Sequence, residues 1–373
     1  MTTATVPELL DELRAYLSPT PPQLSLPPAL FASPEVYELE RERIFHRGWV
    51  LVCHADQLAE PGDYLSLDIA GEPVVVTRGR DGALNAMSPV CRHRMMPLVG
   101  EGAGNTADFT CPYHLWRYGL DGKLIAATHM RGNTEFDPAT CRLPGFAVEV
   151  WHGFVFVSLA GNPSPLAPEL SVVEREMANY QLDDMVLVSS WTEDWACNWK
   201  VAVENGHENY HAIGFHPDTV RPLMTGGIDM DVHYDSPVVC RLLSPAGQPV
   251  EPAVLPLTED ECKVLYSFRV FPGGSVATFG ETIAWLTFVP VAADRTIVRG
   301  GSLMPRRLVE QVGLENIRPG LEGFTARVNT EDREGLEAVQ RAVTSRYTRR
   351  GHLSPKEQGV LAFYRSLAHA LLG

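Results

Sequence analysis

Cys91-Arg92-His93 and, seventeen residues further on, Cys111-Pro112-Tyr113-His114 constrain this chain more than any other stretch. Each group offers one thiolate and one imidazole. Thiolates are soft, charged donors and imidazoles are neutral ones. Two of each suit a two-iron, two-sulfide cluster whose irons differ in charge. A structural zinc ion also accepts two cysteines and two histidines. Zinc pairs usually leave roughly two to four residues between ligands, whereas a single residue separates Cys91 from His93.

The flanking residues extend the pattern. Cys91-Arg92-His93-Arg94 and Cys111-Pro112-Tyr113-His114-Leu115-Trp116-Arg117-Tyr118, followed by Leu120-Asp121-Gly122-Lys123, resemble the cluster signature of the Rieske non-haem iron oxygenases of the ring-hydroxylating alpha-subunit type. The resemblance implies a Rieske 2Fe-2S cluster held by Cys91, His93, Cys111 and His114. Met95 and Leu115 stand where that family commonly has glycine. Neither position supplies a ligand, so the departure bears on packing over the cluster.

A second informative stretch runs from Asn198 to His216. Read as one helix, it places Glu204, Glu208 and His211 at i, i+4 and i+7 on a common face. Gly214 and Pro217 end that helix and deliver His216 on the following turn. Two histidines and a later carboxylate would make a facial triad on iron, leaving positions open for dioxygen and substrate. The same residues contain His207-Glu208-Asn209-Tyr210-His211, the His-Glu-x-x-His pattern of zinc proteases, in which Glu208 would activate water.

Asn198-Trp199-Lys200, Glu204-Asn205, Glu208 and His211-x4-His216 are similar throughout to the mononuclear-iron signature of the same oxygenases. The resemblance implies His211 and His216 as iron ligands. It implies a third ligand near the start of a late helix, where Glu331-Asp332 with Gln340 fits, and Asp332 is favoured over Glu331 and Glu334. Acids at a helix N-terminus are also expected from the macrodipole, with Asn329 or Thr330 as the cap. Glu208 would bridge His211 to His114 of a neighbouring subunit, and Asn205 would lie near the iron. His207 is expected to face solvent or to support a ligand.

Turn signals delimit a small all-β region over about 45–160, with strands at Tyr64–Ile69, Pro73–Thr77, Ala83–Met87 and Gly153–Leu159. Proline-rich linkers occupy Ser18–Pro28 and Gly161–Pro168. Later strands are expected at 185–192, 264–270, 275–279, 282–289 and 296–303, and closing helices at about 331–347 and 354–372. The predicted fold is α+β. A small all-β Rieske domain (45–160) is inserted into a larger α+β catalytic domain (1–44 and 161–373), whose antiparallel sheet is flanked by helices.

The net charge of −15 argues against nucleic acid, and no apolar run is long enough to span a bilayer. The N-terminus reads as a short amphipathic helix with Leu9, Leu10, Leu13 and Leu17 inward, not as a signal peptide. Seven cysteines in a chain this long are no disulfide framework, so a cytoplasmic setting is expected. The resemblance further implies dioxygen as co-substrate and electrons from NAD(P)H through a separate reductase, with or without a ferredoxin. No dinucleotide-binding glycine pattern sits in a strand–turn–helix context. Hydroxylation or oxidative demethylation of a small organic substrate by a homotrimer is favoured, and cis-dihydroxylation of an aromatic ring is the alternative. From other classes, a Rieske electron carrier without oxygenase activity stays open beside the zinc protease.

Overall fold

The computed structural model describes residues 5–249 and 251–373. The chain divides into two compact units, Phe45–Ser164 on one hand and Met1–Ile44 with Pro165–Gly373 on the other.

In Phe45–Ser164, short apolar runs between turns give ten strands. They are β1 (Val50–His54), β2 (Asp63–Ile69), β3 (Glu72–Arg78), β4 (Leu84–Met87), β5 (Gly102–Asn105), β6 (Phe109–Thr110), β7 (Arg117–Tyr118), β8 (Leu124–Ala126), β9 (Gly145–Trp151) and β10 (Phe154–Ser158). One sheet has the order β1-β10-β9-β4-β3-β2-β5, and β6-β7-β8 form a small second sheet. Ala70 and Gly71 both have positive φ and close the β2–β3 hairpin, the backbone that a tight two-residue turn requires. Val75, Met87, Phe109, Leu120 and Leu143 pack around Cys91, Cys111, Trp116 and Tyr118. The core of this unit therefore lies directly beneath the two cysteine–histidine turns.

The other unit is built on a seven-stranded sheet. Its strands are β11 (Met185–Trp195), β12 (Asp231–Tyr234), β13 (Val239–Pro245), β14 (Val264–Val270), β15 (Gly274–Phe279), β16 (Thr282–Ala292) and β17 (Arg295–Pro305). The order is β11-β17-β16-β15-β14-β13-β12, antiparallel throughout. Among the described residues eight α-helices accompany it: α1 (Val6–Arg14), α2 (Pro34–Glu40), α3 (Ser171–Glu176), α4 (Trp199–Asn205), α5 (Ala212–Phe215), α6 (Arg306–Val312), α7 (Leu314–Val343) and α8 (Gln358–Leu372). In α1, Leu9 and Leu13 are buried while Leu10 is only partly so, and residues 1–4 of the expected amphipathic helix lie outside the described residues.

Packing explains why Asn198-Trp199-Lys200 opens α4. The Asn198 side chain accepts from the Lys200 N–H and caps the helix. Trp199 Nε1 donates to Glu40 Oε2 at 2.8 Å, and Lys200 Nζ to Glu40 Oε1 at 2.6 Å. Lys200 and Glu40 are fully buried. Removing one partner of such a pair strands a charge without solvent and costs about 3–5 kcal/mol. Gln340 completes the clamp. It accepts from the Asn198 N–H at 2.9 Å and donates to Phe31 O at 3.2 Å, which fixes α4 to α7.

Candidate active site

The Cys-x-His turn at Cys91 and the Cys-x-x-His turn at Cys111 repeat one backbone pattern. Cys91 N–H donates to Met96 O at 2.9 Å, and Cys91 O accepts from Met95 N–H at 3.1 Å. Cys111 does the same with Trp116 O at 2.7 Å and Leu115 N–H at 3.0 Å. Met95 and Leu115 occupy the equivalent position of each turn, four residues after the cysteine, with φ of 55° and 61°. This left-handed backbone is the one glycine adopts freely, which accounts for the glycine expected there. Both side chains point outward and are exposed.

His93 and His114 face each other with ring centroids 4.6 Å apart, and Trp116 stacks on His93 at 4.8 Å. Nδ1 of each histidine is shielded from solvent and has no hydrogen-bond partner. Cys91 and Cys111 are buried free thiols. Orphaned buried nitrogens are rare because each costs its full desolvation penalty. Two of them on the same turns as two buried thiols match the donor set of a 2Fe-2S Rieske cluster. The Tyr118 hydroxyl lies 3.4 Å from Cys91 Sγ and accepts from the Arg92 N–H, so it braces the first turn.

The second site differs from its predicted geometry. Glu204, Glu208 and His211 do not share one helix face, because α4 ends at Asn205 and α5 begins only at Ala212. Gly206 caps α4, and residues 206–211 form successive turns. His211 and His216 thus flank the single short turn of α5. Asp332 is not near a helix start either. It lies past the middle of α7, a helix of 30 residues that begins at Leu314. Asn329 is consequently no cap; its side chain donates to Glu193 on β11. The macrodipole therefore does not explain the acid at position 332.

His211, His216 and Asp332 come together, each offering one donor atom within 4.8 Å of the others. His216 Nε2 is 3.0 Å and His211 Nε2 3.8 Å from Asp332 Oδ1. The opposite ring nitrogens are held by carboxylates: His211 Nδ1 by Glu208 Oε1 and His216 Nδ1 by Glu331 Oε2, both at 2.7 Å. A carboxylate can only accept, so each ring donates from Nδ1, which leaves Nε2, on the Asp332 side, as the nitrogen for a metal. Two such nitrogens and a carboxylate oxygen fit a mononuclear iron. Asn205 Nδ2 donates to Asp332 Oδ1 at 2.9 Å. Burial lowers His216, but Asp332 and Glu331 outweigh it and the net shift is upward.

Glu331 is the residue whose role the sequence did not disclose. Weighed there as a substitute ligand, it instead orients His216 and accepts from Thr219 Oγ1. His207 is neither solvent-facing nor part of the triad. It is buried, with Nδ1 2.7 Å from Val203 O. The pairing of His207 with His211 that a zinc protease needs is therefore absent from the metal-competent group.

A Rieske 2Fe-2S domain matches residues 48–144, and the catalytic domain of the ring-hydroxylating alpha subunit matches residues 182–373. The glycine betaine monooxygenase oxygenase subunit of Pseudomonas aeruginosa is 34% identical over 200 residues, 54% of this chain and 46% of that protein. The carnitine monooxygenase oxygenase subunit of Escherichia coli is 33% identical over 196 residues, 52% of each. The chain spans about half the length of the curated relatives it matches. A quaternary ammonium Rieske monooxygenase superposes with a TM-score of 0.79 at 26% identity, covering 93% of this chain and 95% of that one. With a Rieske domain followed by the alpha-subunit catalytic domain over half its length, the chain belongs to the ring-hydroxylating alpha-subunit family of Rieske non-haem iron oxygenases.

Proposed function

We propose that this chain is the oxygenase component of a Rieske system that monooxygenates a small N-methylated or quaternary ammonium compound. The observation that carries the reading is the pairing, in one chain, of a cluster-fitting set (Cys91, His93, Cys111, His114) with an iron-fitting set (His211, His216, Asp332). An electron carrier would need only the first. The substrate class rests on the relatives, which act on glycine betaine and carnitine. Aromatic compound metabolism accordingly fits this chain only in part.

When bound, the cluster supplies electrons one at a time and the mononuclear iron supplies the site of dioxygen activation. The chain's own residues set the geometry. Glu208 and Glu331 fix the tautomers of His211 and His216, and hydrogen bonds of this kind raise ligand basicity. Asn205 holds one oxygen of Asp332 and so limits how the carboxylate can turn. Overall, a C–H bond, dioxygen, two electrons and two protons give a C–OH group and water. A hydroxyl placed on carbon next to nitrogen collapses with C–N cleavage to an aldehyde and an amine. The electrons would come from NAD(P)H through a separate reductase, with or without a ferredoxin. A homotrimer in the cytoplasm is proposed, in which Glu208 of one subunit bridges to His114 of the next. Glu208 supports this because it already holds His211.

Two measurements test the reading. Anaerobically purified protein should hold three irons and two acid-labile sulfides per chain on the family's chemistry, about two irons belonging to the cluster. With a reductase, it should take up dioxygen and release aldehyde when given glycine betaine or carnitine. Glu208→Gln should keep both metals and lose most turnover, on the order of 100-fold or more. Full turnover in that variant would remove the bridge, and zinc without sulfide would overturn the function.

A further inference from the structure

A small cavity lies against the segment that carries Asn205, with Val203 and His207 in its wall. It measures about 20 Å³, and its wall includes Arg269, Ser275, His207, Cys240 and Phe271. That is room for one small occupant or for the end of a longer one. Arg269 reaches it from β14. Its Nη1 donates to Ser275 Oγ at 2.7 Å, while Nε is shielded from solvent and has no partner. Two residues earlier on the same face of β14, Ser267 Oγ is likewise shielded and unpartnered.

Nothing among the described residues lining the cavity balances this guanidinium. No carboxylate is present there. Burial pushes the Cys240 thiol up to about 12, so it stays neutral. Burial, and after it the charge of Arg269, pushes His207 down to about 3, so it too stays neutral, donating from Nδ1 to Val203 O. Burial alone pulls Arg269 down to about 10, still cationic at neutral pH. A half-buried guanidinium with its Nε shielded and no acid beside it is stabilised when an anion joins it.

We propose that this cavity is a subsite for a monoanion, held by Arg269 and Ser275. The occupant is either a free halide or the carboxylate end of the substrate. The second source rests on the oxygenase function above, and the first does not. The position links the subsite to the iron. A Cβ at Gly206 would come within 3.0 Å of Arg269 Nη1, so the guanidinium packs against the backbone next to Asn205, which in turn holds Asp332.

The test uses metal-loaded protein with sodium bromide, sodium acetate, glycine betaine and choline as probes. Glycine betaine and choline share a trimethylammonium head and differ in a carboxylate against a hydroxyl. Anomalous diffraction should place bromide against Arg269. Calorimetry should show acetate and bromide binding weakened tenfold or more by Arg269→Gln, with Arg269→Lys keeping part of it. Glycine betaine displacing bromide, and losing tenfold in Arg269→Gln while choline does not, identifies a substrate carboxylate. Bromide remaining in place beside bound glycine betaine, with betaine affinity unmoved by the variant, identifies a free halide. Absence of bromide and of any Arg269-dependent anion binding, in protein that retains its metals, overturns the subsite. Bound bromide in protein that shows no substrate-dependent dioxygen uptake leaves the subsite standing and counts against the oxygenase function alone.

Discussion

Four residues after each cluster-turn cysteine the chain takes a left-handed backbone, and Met95 and Leu115 put a side chain where a Cβ crowds the following carbonyl. That conformation costs an L-residue about 1–2 kcal/mol, and glycine returns part of the gain as lost chain entropy. Met95→Gly and Leu115→Gly should therefore each stabilise the protein by about 0.5–1 kcal/mol, read as a higher denaturant midpoint with an unchanged Rieske spectrum. Glu331 makes the opposite kind of contribution. Its carboxylate is the only acid the structure places on His216 Nδ1 among the described residues, and Thr219 holds it there. Glu331→Ala should weaken iron binding by roughly 10–100-fold, with Glu331→Gln restoring part and the cluster untouched in both. Iron titration of the metal-free protein measures it. A residue at i+115 from its partner histidine leaves no local spacing to read, which is why this role surfaces only in the fold.

Among the elements, α5 and α7 decide whether the triad assembles. The Phe215 ring lies against the backbone of α7 at Gly335, where an added Cβ would meet it at 2.3 Å. Gly335→Ala should push α5 away from α7, costing about 1–3 kcal/mol by overpacking and lowering mononuclear-iron occupancy while leaving the cluster full. Metal analysis beside thermal unfolding separates those effects. The sequence made the late strands of the sheet and both cluster turns legible, because alternating apolar residues and the close Cys-x-His and Cys-x-x-His spacings are local signals. It concealed the first half of α7, since Pro319, Gly320 and Gly323 inside that helix are breakers by composition. β9 was hidden beside β10, β12 is only four residues long, and the Val239-Cys240 and Leu242-Leu243 pairs of β13 break the alternation that marks a strand. It also suggested one continuous helix from Asn198 to His211, because periodicity cannot register the break that Gly206 introduces.

For the molecule as a whole, two buried groups on α4 and its cap set opposite pH limbs. Burial raises Glu204 to about 8 from an ordinary 4.5, so the folded state holds a proton that the unfolded chain releases, and stability falls as pH rises between those values. Burial lowers His207 to about 3 from 6.5, so the unfolded chain binds the extra proton, and stability falls as pH drops through that window. From about 4.5 to 6.5 the two slopes oppose, and these groups together should leave a plateau there. Glu204→Gln should flatten the alkaline limb and leave the acid one, a difference between variant and wild type that denaturant titrations at stepped pH would show.

The bond from Gln340 to the Asn198 N–H has a consequence for how this architecture can vary. Asn198 starts the stretch that leads to both histidines, and Asp332 lies on the same helix as Gln340. The span of α7 between them acts as a ruler of about 12 Å, at about 1.5 Å per residue. One residue inserted within that span would lengthen it by only about 1.5 Å but swing Asp332 by about 100° around the helix axis, off the histidines altogether. An insertion among the turns of 206–211 would meet no such penalty of phase. Length changes in descendants of this chain should therefore collect before the histidines and spare the rod that carries the carboxylate.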